Sequence, residues 1–210
     1  MSRRSCWNTA GRCKGNSVEK IQVLQTVSQM ICSGEEAQAE KLLRDKMPFE
    51  APTNAGRNYS TAVKLSIFFR DGFVDRYSGE QLLNPGYLRA LSKLFPDSFP
   101  FHTNWKMGQC HLAFWQFTPT IDHLIPVARG GADEEENWVT TNMLHNAAKS
   151  NWLIEELAWK LHPPGDRRVW CGLSEEFIRI VELNPKLKED SYIRQWYSAT
   201  VNAMKKYCIP

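Results

Sequence analysis

The hydrophobic pattern at the start of the chain predicts a pair of amphipathic helices. Between residues 17 and 31 the apolar side chains recur at three- and four-residue steps, which is typical of a helix. They are Val18, Ile21, Leu24, Val27 and Ile31. Gly34 is placed to end this helix, and a second helix is predicted over residues 35–46, before Pro48. Residues 49–60 are rich in Pro, Gly and Asn and predict a linker.

Further helices are predicted in the middle and at the end of the chain. Helical spacing covers residues 82–94 and 141–161, and proline follows each run. Two C-terminal helices are predicted over residues 174–183, with Ser174 as the N-cap, and over residues 190–207.

One segment has the pattern of a strand, a loop and a second strand. An apolar run interrupted by Asp and His covers residues 120–126. The turn signal Arg129-Gly130-Gly131 and an acidic stretch follow it, and a second strand begins near Asn137. Residues 64–69 fit either a strand or a helix. We therefore predict an α+β fold, with a small hairpin–helix unit embedded in a mainly helical chain.

Composition and charge limit the class of protein without naming a partner. The chain has 210 residues, 42% of them hydrophobic and 23% charged, as in ordinary globular proteins. No run approaches the ~18 apolar residues of a membrane span, and no apolar block follows Arg3 and Arg4 as in a signal peptide. We therefore expect a cytoplasmic protein with no membrane partner. The net charge of +3 is too small to indicate nucleic-acid binding by itself.

The six cysteines indicate neither a disulfide framework nor a zinc site. None of them forms a Cys-x-x-Cys pair, and in the cytoplasm they would remain thiols. Only Cys6 and Cys13 are close in sequence, and no nearby histidine completes a set of four zinc ligands. We therefore expect no structural zinc.

The densest chemical pattern lies in the predicted strand–loop–strand–helix segment. Asp122-His123 ends the first strand, Asn137 follows the Gly-Gly turn, and Asn146 lies nine residues beyond Asn137. Lys149 completes an Asn-x-x-Lys sequence in the helix. This order of residue types resembles the HNH family of endonucleases, whose ββα-metal core wraps two strands and one helix around a single metal ion. The resemblance covers about residues 66–155, and its specific part covers residues 120–149.

The resemblance implies a role for each residue of this motif. Asp122 and Asn146 would supply oxygen ligands to one Mg²⁺, Mn²⁺ or other divalent cation per active site. His123 would accept a proton from the attacking water near neutral pH. Asn137 would constrain the loop or orient the imidazole of His123. His145 is a competing ligand, but adjacent helical residues project about 100° apart. Of the two neighbours His145 and Asn146, we therefore expect only Asn146 to face the metal.

The sequence departs from the family at the positions of its structural zinc. Ser78 stands where the family's upstream Tyr-Cys-Gly stretch has cysteine, and Asn142 and His145 are not cysteines either. We therefore expect aromatic packing and the flanking helices to stabilise the hairpin in place of a zinc ion.

The resemblance also implies a substrate. The family hydrolyses phosphodiester bonds, mostly in DNA, so we expect a DNA endonuclease of restriction, phage-defence or mobile-element type. Candidate nucleic-acid-binding residues are Lys149, Arg129, Arg76 and Arg70. One metal site cuts one strand, so cleavage of both strands requires a homodimer or two successive visits. Two alternatives are a DNA-binding module without activity and a nuclease subunit that acts only within a larger complex, such as a defence complex.

These patterns divide the chain into four predicted segments. Residues 1–16 are a basic N-terminal arm, and residues 17–60 contain the helical hairpin and the linker. Residues 61–165 form the nuclease domain, and residues 166–210 form a C-terminal helical extension.

Overall fold

A computed structural model describes residues 17–49 and 58–207 of the chain. The chain divides into two compact units, with the boundary after residue 55. The predicted basic arm, residues 1–16, and residues 50–57 of the predicted linker lie outside the described residues.

The first unit contains the predicted helical hairpin, formed by α1 (Ser17–Cys32) and α2 (Glu36–Lys46). Gly34 in the turn between them has φ of +77°, which glycine adopts without a steric cost. The hairpin buries Val27 and Ala39. Its two helices are confirmed, but most of the predicted apolar face of α1 is exposed, at Ile21, Leu24 and Ile31.

The described part of the second unit contains six helices and two strands, besides short 3₁₀ turns. They are α3 (Thr61–Arg70), α4 (Pro85–Leu94), α5 (Ala113–Phe117), β1 (Pro119–His123), β2 (Trp138–Asn142), α6 (Met143–Lys149), α7 (Ser174–Leu183) and α8 (Ser191–Tyr207). The molecule is thus mostly helical with a single two-stranded sheet among its described residues, which confirms the coarse fold class.

The main core of the second unit lies between α3, α4, α7 and α8. Its buried side chains are largely aromatic and include Phe68 and Phe69 of α3, Phe177 of α7 and Trp196 of α8. A Cβ atom at Gly86 would lie 2.4 Å from the ring of Phe177, so α4 and α7 approach each other at a position where only glycine fits. The predicted C-terminal extension therefore shares one core with α3 and α4.

Local capping sets where two of these helices begin. Ser60 Oγ accepts a hydrogen bond from Val63 N at the start of α3, so the ambiguous segment 64–69 is helical. The predicted helix over residues 82–94 begins later, at Pro85, because Asn84 Oδ1 caps Gly86 N at 2.9 Å. Before the cap, Leu82 N bonds to Phe73 O and Leu83 N bonds to Phe117 O, so this segment pairs with other parts of the chain.

β1 and β2 pair antiparallel, with Asp122 opposite Val139 and His123 opposite Trp138. The outer edge of β2 is covered by side chains and by one backbone bond, from Arg76 N to Thr140 O, instead of a third strand. Asp71 Oδ2 accepts Thr140 N at 2.8 Å and Asp75 Oδ2 accepts Asn142 N at 3.0 Å. Two buried carboxylates therefore satisfy edge groups that would otherwise be orphaned.

The helix predicted over residues 141–161 is much shorter in the structure, so the predicted length is wrong. Thr141 and Asn142 belong to β2, Asn142 Oδ1 caps α6 by accepting His145 N at 2.7 Å, and α6 ends at Lys149. Residues 150–161 form turns. Ser150 follows α6 with φ of +48°, outside the right-handed helical region, and Trp159 packs on the ring of Tyr77. The local backbone and this tertiary contact override the helical spacing.

No helix among the described residues is long and apolar enough to cross a bilayer.

Candidate active site

Three residues of the predicted motif line one groove of the second unit. Asp122 and His123 reach it from the end of β1, and Asn146 reaches it from α6. The groove has a volume of about 500 Å³ and is also lined by Tyr59 and Lys64. We call it the site groove. The sheet and the following helix thus bring together residues that are separated by 24 positions in sequence (146 − 122).

The imidazole of His123 is held by a carboxylate. Its Nε2 lies 2.7 Å from Asp133 Oδ1, and the His123 side chain is almost fully buried. Trp138 Nε1 lies 2.9 Å from the same oxygen and 3.1 Å from His123 Nε2. The Tyr59 hydroxyl also donates to Asp133 Oδ1. One carboxylate oxygen, Asp133 Oδ1, is therefore approached by His123, Trp138 and Tyr59.

This cluster assigns the tautomer of His123. The Asp133 carboxylate only accepts hydrogen bonds when ionised, so His123 donates from Nε2–H. The Trp138 indole only donates, so its hydrogen bond goes to Asp133 and not to the protonated Nε2. The lone pair of neutral His123 then lies on Nδ1, which has no hydrogen-bond partner among the described residues. This nitrogen is the one available to accept a proton.

The same contacts keep Asp133 ionised. The hydrogen bond from Tyr59 is the largest cause that lowers the pKa of Asp133, and hydrogen bonds from His123 and Trp138 lower it further. The carboxylate therefore remains a hydrogen-bond acceptor throughout the neutral range.

Asp122 is fixed by two side chains that approach one of its oxygens. The Tyr77 hydroxyl donates to Asp122 Oδ2 at 2.7 Å, and Lys149 Nζ lies 3.1 Å from the same atom. Burial and then the charge of Asp122 raise the pKa of Tyr77 well above its usual value, so the phenol stays a donor. Asp122 Oδ1 has no donor among the described residues, and no described side-chain oxygen is both buried and unpaired. This oxygen therefore meets solvent.

The prediction that Lys149 contacts nucleic acid is corrected by its burial. Its side chain is completely buried, and Nζ donates to His123 O at 2.6 Å in addition to pairing with Asp122. Lys149 thus ties α6 to the end of β1 and cannot reach a phosphate on the surface.

The amide of Asn146 is oriented by β1. Its Nδ2 lies 3.0 Å from Thr120 Oγ1 and 3.4 Å from Ile121 O. A carbonyl can only accept, so the nitrogen faces the strand and Oδ1 points away from these two partners. The side chain contributes to the wall of the site groove.

The donor set fits a hard divalent cation. Asp122 Oδ1 and Asn146 Oδ1 are a carboxylate and an amide oxygen without partners among the described residues, and both side chains line the site groove. Mg²⁺ is often held by one or two protein oxygens and several waters. The described residues contain no group of three or more His, Cys, Asp or Glu side chains placed to hold a metal. The two oxygens are candidate ligands because of their own chemistry.

Asn137 holds the loop and does not touch His123. Its Oδ1 accepts Ile125 N at 2.9 Å, and its Nδ2 donates to Ile125 O at 2.9 Å and to Ala132 O at 2.8 Å. A Cβ atom at Gly131 would lie 1.9 Å from Ile125 O, so the Gly-Gly turn permits this close loop. Of the two predicted roles of Asn137, the contacts favour the constraint of the loop.

The three predicted DNA-binding arginines make intramolecular contacts. Arg70 Nη2 donates to Trp138 O at 2.6 Å, and Nη1 donates to Glu135 O at 2.9 Å. Arg76 pairs with Asp71 at 3.1 Å and donates to His162 O. Arg129 pairs with Glu156. These contacts assign structural roles to all three side chains.

The competing ligand His145 is directed elsewhere. Its Nδ1 lies 2.7 Å from Asp75 Oδ2. Asp75 is fully buried and also accepts Tyr77 N at 2.8 Å and Thr141 Oγ1 at 3.0 Å. A cavity separate from the site groove is lined by Ser78, Asn142 and His145. A carboxylate thus connects the segments that the family resemblance associates with a structural zinc.

Sequence reasoning missed four residues of the site. They are Tyr59, Lys64, Asp133 and Trp138. The acidic stretch after the Gly-Gly turn and the tryptophan opposite His123 were the available signals for two of them. Tyr59 and Lys64 carried no signal, because their position depends on how the start of α3 packs against β1.

No protein-family model, no curated protein and no solved structure matches this chain. The arrangement of the site is therefore the basis for assigning a function.

Proposed function

We propose that this chain is a metal-dependent endonuclease of the HNH type that hydrolyses phosphodiester bonds in DNA. The observation that carries the proposal is the convergence of Asp122, His123 and Asn146 on one groove, with His123 Nε2 held by Asp133. Three separate side chains thus line the same space, and in this proposal they supply one proton acceptor and two oxygen ligands.

Each residue has a step that its contacts support. Asp133 holds His123 in the tautomer whose Nδ1 accepts a proton from the attacking water. Asp122 and Asn146 would hold a divalent cation. When bound, such a cation stabilises the charge that develops on the phosphate and on the leaving oxygen. Lys64 lines the groove and has no ion pair with the described residues, so it is the candidate to contact a phosphate.

A nicking assay on supercoiled plasmid with Mg²⁺ or Mn²⁺ tests this proposal. His123→Ala should lower the cleavage rate by ~10²–10⁴-fold, the usual effect of removing a general base, without loss of DNA binding. Asp122→Ala and Asn146→Ala should lose both metal affinity and cleavage, while Asn146→Asp should keep an oxygen ligand.

His111→Ala is the matched control, because His111 is exposed and lies outside the site groove. Cleavage by His123→Ala within threefold of the parent rate would refute the assignment, as would metal-dependent nicking that survives both ligand deletions.

A second candidate is a nuclease subunit that is active only within a larger complex. One observation favours it: all four predicted nucleic-acid-binding side chains make intramolecular contacts, which leaves Lys64 as the described cation of the site groove. If this candidate is correct, the isolated chain should bind plasmid DNA weakly at physiological salt and show no nicking until a DNA-delivering partner is added.

A further inference from the structure

An aromatic pocket adjoins the site groove and has no role in the proposed hydrolysis. Its volume is about 250 Å³, and its walls include Phe101, Trp105, Phe114 and Tyr192. Trp105 and Tyr192 also line the site groove, as do Pro85 and Thr118 of the pocket. The two spaces therefore share a wall, and a group in the pocket lies beside the site groove.

The aromatic walls of the pocket are held in place by their neighbours. The Phe101 ring packs on Phe114 with centroids 4.8 Å apart, and Trp105 meets Phe114 edge-on at 5.9 Å. The Arg89 guanidinium lies 4.2 Å from the centre of the Phe101 ring and bonds to Asp190 Oδ2 at 3.2 Å. The pocket is thus organised before a ligand enters, which reduces the entropic cost of binding.

The shape and chemistry of the pocket suit one flat, aromatic ring with polar edges. Its volume lies just below the ~300 Å³ of the smallest typical ligand pockets, so it has room for a single ring system and not for a chain of them. The polar groups of its lining residues are the hydroxyls of Thr103, Thr118 and Tyr192, the indole N–H of Trp105 and the guanidinium of Arg89. Arg89 Nη1 has no hydrogen bond to the described residues and can donate to the edge of a ring.

We propose that the pocket receives one unpaired nucleobase of the DNA strand whose phosphodiester lies in the site groove. Aromatic side chains stack on bases of any sequence, so the pocket would hold the strand without reading it. A base in a paired duplex must first leave the stack, at a cost in free energy that an unpaired base avoids. The inference rests on the proposed function and names its substrate class, which is single-stranded or locally unpaired DNA.

Fluorescence anisotropy with the full chain in a metal-free buffer tests the pocket without cleavage. The probes are a short labelled DNA single strand, the same strand with abasic residues in its interior, and the fully paired duplex. The parent chain should bind the intact strand about tenfold more tightly than the abasic strand, the order expected for one stacked base. The duplex should bind more weakly than the intact single strand.

Two variants change the pocket in opposite ways. Trp105→Ala removes a wall, and Thr103→Phe fills the space from an exposed position without removing a packed side chain. Both should reduce the ratio of the two affinities to near one. Thr103→Phe should also leave the affinity for the abasic strand unchanged, because Thr103 lines the pocket and not the site groove. Trp152→Ala is the matched control, because Trp152 is 53% exposed and lines neither space, and it should keep the ratio.

The outcomes separate this inference from the proposed function. Three results would overturn the nucleobase pocket. The parent chain could bind the intact and abasic strands with affinities within twofold of each other, the tenfold difference could persist in both pocket variants, or the chain could prefer the duplex. The same preparation is then assayed for plasmid nicking with Mg²⁺. Nicking without a base-dependent affinity refutes the pocket alone, and base-dependent affinity without nicking refutes nuclease activity of the isolated chain alone.

Discussion

Replacement of Lys149 by methionine should destabilise the second unit strongly. The side chain is completely buried, and its ammonium group bonds to His123 O at 2.6 Å and to Asp122 Oδ2 at 3.1 Å. Methionine preserves much of the volume but removes the positive charge and both contacts. Asp122 then keeps only the Tyr77 hydroxyl as a donor to this oxygen, and the carbonyl of His123 loses its partner.

The magnitude follows from the cost of an unpaired buried charge. Breaking a buried ion pair by removing one partner typically costs ~3–5 kcal/mol, because the remaining charge stays desolvated. The orphaned carbonyl adds to this cost, but the Tyr77 hydroxyl and the solvent contact of Asp122 Oδ1 reduce it, so we expect about 3 kcal/mol. Against a typical total stability of ~5–15 kcal/mol, this loss is large. Removal of both charges in Lys149→Met with Asp122→Asn should cost less than the sum of the two single variants.

Urea unfolding followed by tryptophan fluorescence measures this loss as a lower midpoint with an unchanged slope. Lys106→Met is the control, because Lys106 is exposed, and it should change the free energy of unfolding by no more than about 0.5 kcal/mol. A loss below about 1 kcal/mol for Lys149→Met, accompanied by weaker DNA binding, would refute the buried role and restore the nucleic-acid contact predicted from the sequence.

Two further predictions concern the other carboxylates around the sheet. Asp75→Asn should lower the free energy of unfolding by at least about 2 kcal/mol, because an amide nitrogen then faces donors that the carboxylate accepted; a thermal melt equal to that of the exposed control Asp97→Asn would contradict this. Tyr59→Phe should raise the pKa of Asp133, whose folded-state pKa is lowered chiefly by the Tyr59 hydrogen bond. The stabilisation from ionised Asp133 is complete above its unfolded pKa of ~3.9 and is lost as the pH falls through the lower folded value. Tyr59→Phe should therefore lose less free energy of unfolding on acidification than the parent chain. A carboxyl NMR titration with the same Asp133 pKa in both proteins would show that Tyr59 has no such effect.

The sequence was sufficient for features that depend on residues close together along the chain. Apolar spacing in α1 and start or stop signals for α2, α7 and α8 predicted helices whose bounds differ from the observed ones by about a residue. The predicted N-cap of α7 is wrong, because Ser174 is its first helical residue and Leu173 occupies the cap position. The order of strand, Gly-Gly turn, strand and helix was also readable, because Asn137 and Gly131 act through a loop of only a few residues. Local periodicity and turn chemistry carry this information directly.

Tertiary packing decided which charged side chains are available. Lys149, Arg70, Arg76 and Arg129 look like solvated or phosphate-binding cations in the sequence, but the fold gives each a partner inside the chain. Packing also contributes to the early end of α6, because Trp159 contacts the distant ring of Tyr77 instead of continuing the helix. The residues next to a Lys or Arg in the sequence do not identify such partners, because the partners come from distant segments that only packing brings into contact.

The environment of the candidate site likewise depends on contacts between distant positions. Tyr77 donates to Asp122 from 45 residues away in the chain, and Asp75 bonds to His145 from 70 residues away. The sequence therefore determined which residue types could accept a proton or hold a cation. The tertiary structure determined which tautomer of His123 is held and which oxygen atoms remain open, because these properties follow from hydrogen-bond partners that only folding brings into contact.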